Sequence, residues 1–459
     1  MNPAAQRARV AEVPPPILVD PGPGLVAAVL YALYDLCWVA AVVLPAPWWV
    51  VRALSSARFR ATVAARAGAD LPRRAGPGER PRILVHGVSV GEVKAAQALV
   101  RELAAARPDL QVVVSTVTST GFDVARKLYP GALVVRFPFD LSVVVRRFLR
   151  RVDPVAVVLV ELEVWPNFLR EANRAGVPLA VVNGRITERS FRRYRAFKRL
   201  MPQFARISLF CAQDEEYARR FQGLDADPAR VVVTGNVKAD GLRTGPREPS
   251  EEIVRLVAAR PGQLVVVAGS THPSEELALV RAWRGSFPTA RLVLVPRHPE
   301  RATALARELA AAGAEPQLLT RLRAGESADP ARPLVVDTIG ELEQVYAASD
   351  LVFVGGSLIP HGGQNMLEPA AQGRPVVYGP HVLNFREEAA LLERAGAALR
   401  VARESELGPV LQGLLADPQG RSRMGQAGRA AVESQKGATR LTWRELSTRV
   451  LDRLSGGRP

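Results

Sequence analysis

Residues 351–371 read Leu351-Val352-Phe353-Val354-Gly355-Gly356-Ser357-Leu358-Ile359-Pro360-His361-Gly362-Gly363-Gln364-Asn365-Met366-Leu367-Glu368-Pro369-Ala370-Ala371. The apolar run at 351–354 predicts a buried strand, closed by a glycine turn. A glycine-rich turn at the carboxyl end of a strand puts backbone N–H groups beside a helix start, where the helix dipole favours a phosphate. Glu368, one helical turn further on, is a carboxylate able to accept two hydrogen bonds from the vicinal hydroxyls of a ribose. The stretch therefore reads as a nucleotide-sugar site on the second half of the chain.

Outward from this stretch, strands and helices alternate. Arg82–His86, 111–115, 132–137, 155–160, 178–182 and 231–234 predict short buried strands, and the pattern restarts at 264–268, 291–295, 334–336, 351–354 and 375–378. Strand–helix alternation is the mark of a parallel sheet covered on both faces. The expected architecture is α/β: two doubly wound Rossmann-like domains facing a cleft, preceded by a membrane-anchor helix. The boundaries expected are an N-terminal extension over 1–70, a first domain over 71–240 and a Pro/Gly-punctuated hinge over 241–262. A second domain over 263–430 and a C-terminal helix over 431–459, able to pack back on the first domain, complete the chain.

A length of 459 residues exceeds one ordinary core. The net charge of +16 asks for an anionic partner: nucleic acid, anionic lipid or a phosphorylated substrate. Nucleic acid lacks any supporting motif, since there is no zinc-ligand spacing and no aromatic set within a basic stretch. Lys occurs only at Lys94, Lys127, Lys198, Lys238 and Lys436, so much of the charge is a preference for Arg. Cys37 and Cys211 lie far apart, which disfavours a disulfide and suits a reducing compartment.

From Gly24 to Val51 the only charged residue is Asp35. The segment 25–44 has the length of a bilayer span, although Asp35 near its middle costs about 2.5–3.5 kcal/mol on insertion scales. Trp48 and Trp49 suit the headgroup zone, and Arg52, Arg58, Arg60 and Arg66 outnumber Arg7 and Arg9 on the other flank, which places the body in the cytoplasm. A helix lying in the interface is the other reading; a cleaved signal peptide fits less well, for want of a small-x-small site.

The chemistry-bearing residues follow predicted strands. Glu92, in His86-Gly87-Val88-Ser89-Val90-Gly91-Glu92, is either a general base or a first-turn acid that stabilises its helix. Glu161 and Glu163, at i and i+2, point to one side if the segment is extended, and would share a proton or orient a base; alternatively Glu163 caps the helix opening at Pro166. Lys238, in Gly235-Asn236-Val237-Lys238, is a cation for a substrate carboxylate or phosphate, or a solvated surface residue. Ser270-Thr271-His272-Pro273, Pro296-Arg297-His298-Pro299-Glu300-Arg301 and Asp337-Thr338-Ile339-Gly340-Glu341-Leu342 each stand between a strand and a helix. Arg297 grips a phosphate with two parallel donors. The histidines 86, 272, 298, 361 and 381 all lie in such loops, without metal spacing, so no metal is expected.

Taken together, these motifs resemble the 3-deoxy-D-manno-octulosonic acid (Kdo) transferases of lipopolysaccharide synthesis. The resemblance adds Asn183-Gly184-Arg185-Ile186, Gly379-Pro380-His381 and Asn384-Phe385 and covers nearly the whole chain. It implies an inverting GT-B glycosyltransferase at the inner membrane's cytoplasmic face, with CMP-Kdo as donor, a lipid A precursor as acceptor, anionic lipids around it and no cofactor. It implies Glu92 as base, Glu161 and Lys238 as transition-state groups, and Pro296, Arg297, Ile339, Gly340, Glu341, Asn365, Met366, Leu367 and Glu368 around CMP. The chain departs from the family at Gln364, where the family usually has His, and carries Lys94 two residues after Glu92. The rivals are a nucleotide-sugar enzyme of the same fold, such as a sugar epimerase, and a non-catalytic membrane-anchored nucleotide-binding module.

Overall fold

Val-rich runs short enough to be buried end to end make the sheets, because β-branched side chains pack well on a pleated surface covered on both faces. The computed structural model describes residues 25–76, 78–198 and 202–454. It divides into two compact units, 1–241 with 436–459, and 242–435.

The first unit holds β1 (Arg82–His86), β2 (Gln111–Thr116), β3 (Leu133–Arg136), β4 (Pro154–Val160), β5 (Leu179–Gly184), β6 (Leu209–Ala212) and β7 (Val231–Val233). They form one sheet in the order β3-β2-β1-β4-β5-β6-β7, with parallel pairing throughout. The chain winds outward from β1 in one direction and from β4 in the other, so the loops after these two strands flank a topological switch point, where such sheets bind ligands.

The second unit repeats the plan with β8 (Val265–Thr271), β9 (Arg291–Pro296), β10 (Gln317–Leu318), β11 (Leu334–Val335), β12 (Leu351–Val354), β13 (Val376–Tyr378) and β14 (Ala398–Arg400). Their order is β10-β11-β9-β8-β12-β13-β14, which puts the switch point between β8 and β12. The short strands β10 and β14 lie at the two edges of this sheet.

Two expected boundaries move. The stretch 242–262, read as a hinge for its Pro and Gly content, belongs to the second unit and contains the helix Glu251–Val257, whose Ile253, Leu256 and Val257 enter the core. At the other end, the helix Pro418–Ser434 runs through the expected break at 430/431. The segment returning to the first unit starts at Lys436. There Gly437 takes a φ of +95° and gives its N–H to Asp240. Leu446, Val450 and Leu451 then pack with Ile83, Val85 and Val112 against the first sheet.

The helix Leu25–Val43 is apolar and long enough to cross a membrane. Asp35, however, does not point into the apolar surroundings that the hydropathy pattern suggested. Its carboxylate accepts Ser142 N at 3.0 Å and Asn167 Nδ2 at 2.7 Å. One turn before it, Tyr31 is buried, with its hydroxyl accepting Gln203 Nε2 and Arg206 Nη1 and Arg170 stacked 3.9 Å from its ring. Tyr34 donates to Asp140 Oδ2 at 3.0 Å. Residues 31, 34 and 35 share a helix face, and that face is docked on the first unit. Leu25, Val29, Leu33, Leu36, Val39 and Val43 stay exposed.

Candidate functional site

At the switch point of the first sheet, Ser89 caps the helix Val90–Ala95 by accepting Glu92 N at 3.4 Å. Glu92 reaches back: Oε2 accepts Val88 N at 2.7 Å and Oε1 accepts the Ser89 hydroxyl at 2.8 Å. This is a variant of the capping box, so the helix-stabilising reading of Glu92 holds. Each carboxylate oxygen keeps a further lone pair, which leaves the proton-accepting reading open too. Burial pushes the Glu92 carboxyl up, against the opposing pull of the Ser89 and Val88 bonds.

At the carboxyl end of β4 the backbone turns sharply, with Glu161 at φ +65°, a conformation non-glycine residues seldom adopt. The expected extended Glu161–Glu163 pair is broken by that turn, and the two acids acquire different partners. Glu161 Oε1 lies 2.8 Å from Lys238 Nζ, and Oε2 accepts Arg185 Nε at 2.7 Å. Burial alone would raise its pKa, but the Lys238 and Arg185 charges outweigh it and hold the group below the ordinary carboxylate value. Glu163 bonds Trp165 Nε1 at 2.9 Å and is pushed up to about 8, first by burial and then by the charges of Glu92 and Glu161. One acid is thus kept ionised, while its neighbour holds its proton at neutral pH.

Sequence reasoning assigned no role to Arg185 or Asn183. Asn183, also left-handed at φ +54°, accepts Val237 N on Oδ1 at 3.1 Å and so ties the Lys238 loop to the end of β5. The signal of Asn183 lay in its place at the carboxyl end of a strand. His86 joins none of this: it is fully buried, stacked 3.7 Å from Phe137, and lowered to about 3 by that burial.

In the second unit the glycine turn after β12 differs from expectation. Gly356, Ser357 and Leu358 do turn their N–H groups inward, but onto the carboxylate of Glu275. Glu275 Oε2 accepts Gly356 N at 2.7 Å and His272 N at 2.9 Å, and Oε1 accepts Ser357 N and Leu358 N at 2.9 Å each. These donors are therefore not free for a phosphate. An internal carboxylate, only 1% exposed, takes the place of the expected anion. The turn also needs close backbone approach: a Cβ on Gly355 would lie 2.6 Å from Ser270 O.

The remaining predicted residues follow neighbouring strands of this sheet. Arg297 follows β9, is exposed, and ties its N–H to Thr271 O at 2.9 Å. Ile339 is 88% exposed and Gly340 takes φ +101°, while Glu341 pairs with Arg323 at 2.8 Å. Asn365 Nδ2 donates to Glu368 Oε1 at 3.0 Å, and its Oδ1 accepts Leu367 N at 3.2 Å. The side chains of Met366 and Leu367 enter the core. Pro296 is buried as the last residue of β9. Among the described residues no group of three or more His, Cys, Asp or Glu is placed to hold a metal.

Two doubly wound parallel sheets, each carrying charged loops at its switch point, are the two-domain architecture of the GT-B type. A family model described as 3-deoxy-D-manno-octulosonic-acid transferase (kdotransferase) matches residues 57–241. The 3-deoxy-D-manno-octulosonic acid transferase of Haemophilus influenzae is 32% identical over 400 residues, covering 84% of this chain and 90% of that protein. The enzyme of the same name from Bordetella pertussis is 36% identical over 396 residues, covering 82% and 88%. This chain belongs to the 3-deoxy-D-manno-octulosonic acid transferase family. UDP-GlcNAc 2-epimerase from Neisseria meningitidis, solved bound to UDP-GlcNAc, matches with a TM-score of 0.55 at 12% identity, covering 80% of this chain and 100% of that one. At that identity the likeness is one of fold alone, and the epimerase reading is not favoured.

Proposed function

We propose that the protein transfers Kdo from CMP-Kdo to a hydroxyl of a lipid A precursor with inversion. The observation that carries this reading, beside family membership, is the division of labour among the acids after β1 and β4. Glu92, with its pKa raised by burial, takes the proton of the attacking hydroxyl. Glu161 stays ionised and holds Lys238 by a 2.8 Å ion pair as a fixed cation for charge developing in the transition state. On the second unit, Arg297 takes the phosphate of CMP, Glu368 the ribose, and the backbone at 339–341 and 365–367 the rest of the nucleotide. The leaving group is already good, so a base and cations suffice, and no step is assigned to a metal.

The acceptor is membrane-borne, and the helix Leu25–Val43 suits work at the cytoplasmic face of the inner membrane. A helix bonded to the body through Tyr31, Tyr34 and Asp35 offers lipid one face and not its whole circumference, which favours an interfacial helix over a free span. The Arg residues that follow add attraction for anionic headgroups.

Incubating the full chain in detergent with CMP-Kdo and a tetraacylated lipid A precursor tests the reading. A product heavier by one or more Kdo residues, with CMP released, is expected; release of CMP without any gain of mass on the acceptor would refute the transfer.

A further inference from the structure

Beside Arg297 the second unit gathers imidazoles from the two switch-point loops, after β8 and β12, and from the loop after β9. His272, buried at the end of β8, lies with its ring centroid 3.9 Å from that of His361 and 6.0 Å from that of His298. Gln364 Nε2 stands 3.1 Å from His272 Nε2. An amide nitrogen only donates, so the ring accepts there and carries its proton on Nδ1. Burial, with the charges of His361, His298, Arg297 and Arg301 adding to it, lowers His272 to about 4, so the ring stays a neutral donor.

The nearby carboxylates are committed. Glu275 is bonded to backbone N–H groups, Glu276 pairs with Arg301 at 2.7 Å, and Glu300 lies 3.2 Å from His298. Among the described residues Arg297 makes no ion pair. The cluster therefore holds more hydrogen-bond donors than a single phosphodiester uses.

We propose that His272 and His361, beside Arg297, form a second anion seat that takes the carboxylate of the transferred sugar. The inference rests on the donor named above. The sugar is an acid whose carboxylate is borne on the same carbon as the phosphate oxygen, so its seat must adjoin the phosphate seat. The bond from Arg297 N to Thr271 O ties the backbone at Arg297 to the residue before His272 and so sets the two loops side by side. A neutral imidazole donor and a guanidinium distinguish a donor sugar with a carboxylate at its anomeric carbon from one without.

His361 is exposed, so His361→Ala should fold; His272→Asn is the second variant, and both are made in the full-length chain. Two constants are read for each: KM for CMP-Kdo, and the inhibition constant of CMP, which lacks the carboxylate. The expected result is a rise of about tenfold in KM, the factor that roughly 1.4 kcal/mol makes, with the CMP constant within about twofold of wild type, and partial recovery in His361→Gln. Equal losses for CMP and CMP-Kdo would overturn the seat in favour of a purely phosphate-binding role, and so would an unchanged KM in both variants. Wild-type protein inert toward CMP-Kdo would instead refute the donor assignment itself, and this inference with it.

Discussion

Glu275 Oε2 accepts the N–H of Gly356 at 2.7 Å, so the glycine turn after β12 is anchored by an acid in the first turn of the helix that follows β8. β8 and β12 are neighbours at the switch point of the second sheet, and this bond fixes the spacing of their two loops. The turn is preorganised by its own carboxylate and does not wait for a ligand to order it.

Replacing Glu275 by Ala removes the acceptor for four N–H groups, three of them buried. Left unsatisfied at about 1–3 kcal/mol each, with water recovering part, they should lower stability by about 3–5 kcal/mol. Urea unfolding measures this, and a variant as stable as wild type would show that the carboxylate is not the anchor.

For Glu92, substitution by Gln keeps the shape but removes the base. Turnover should fall about 10²–10⁴-fold while CMP affinity stays near wild type, because the proposed nucleotide residues lie in the other unit. Near-normal turnover would remove Glu92 from the role of base.

Glu163, pushed up to about 8, makes a pH-dependent contribution of defined sign. The native state keeps a proton that the unfolded chain loses near the ordinary glutamate value of about 4.3. The stabilising contribution is therefore complete below that value, shrinks as pH rises, and is gone once pH passes about 8. Glu163→Gln should flatten the fall in unfolding free energy across this window. Equal slopes in wild type and variant would contradict the assignment.

The two faces of the N-terminal helix should respond differently. Leu33 and Leu36 are 50% and 61% exposed, so their joint change to Ser should cut sedimentation with membranes and leave stability unaltered. Asp35→Leu should do the opposite. It takes the acceptor from Ser142 N and leaves Asn167 Nδ2 with only its bond to Asp140 O, a loss of about 1–3 kcal/mol, without weakening membrane association. Release from membranes by Asp35→Leu alone would show that docking, not the apolar face, is the anchor. Removing residues 1–51 would likewise expose the partners of Tyr31 and Asp35, so a truncated chain should be less stable than the full one.

Much of this protein was legible in one dimension. Strand positions followed from β-branched runs such as Val155–Val160, observed as Pro154–Val160, and Leu351–Val354, observed unchanged. Burial and period are local properties that each run carries itself. Lys238 and Glu161 stood out because each follows a strand, where a parallel sheet presents its ligand edge. The tertiary structure alone decided the partners. Sequence periodicity placed Glu161 and Glu163 alike; the left-handed turn at Glu161 and the approach of Lys238 and Arg185 keep one ionised, while burial keeps the other protonated. It likewise filled the glycine turn with Glu275 and turned Asp35 toward Ser142 and Asn167. Charge state and hydrogen-bond partner depend on atoms brought within about 3 Å from distant parts of the chain, and no local pattern contains that distance.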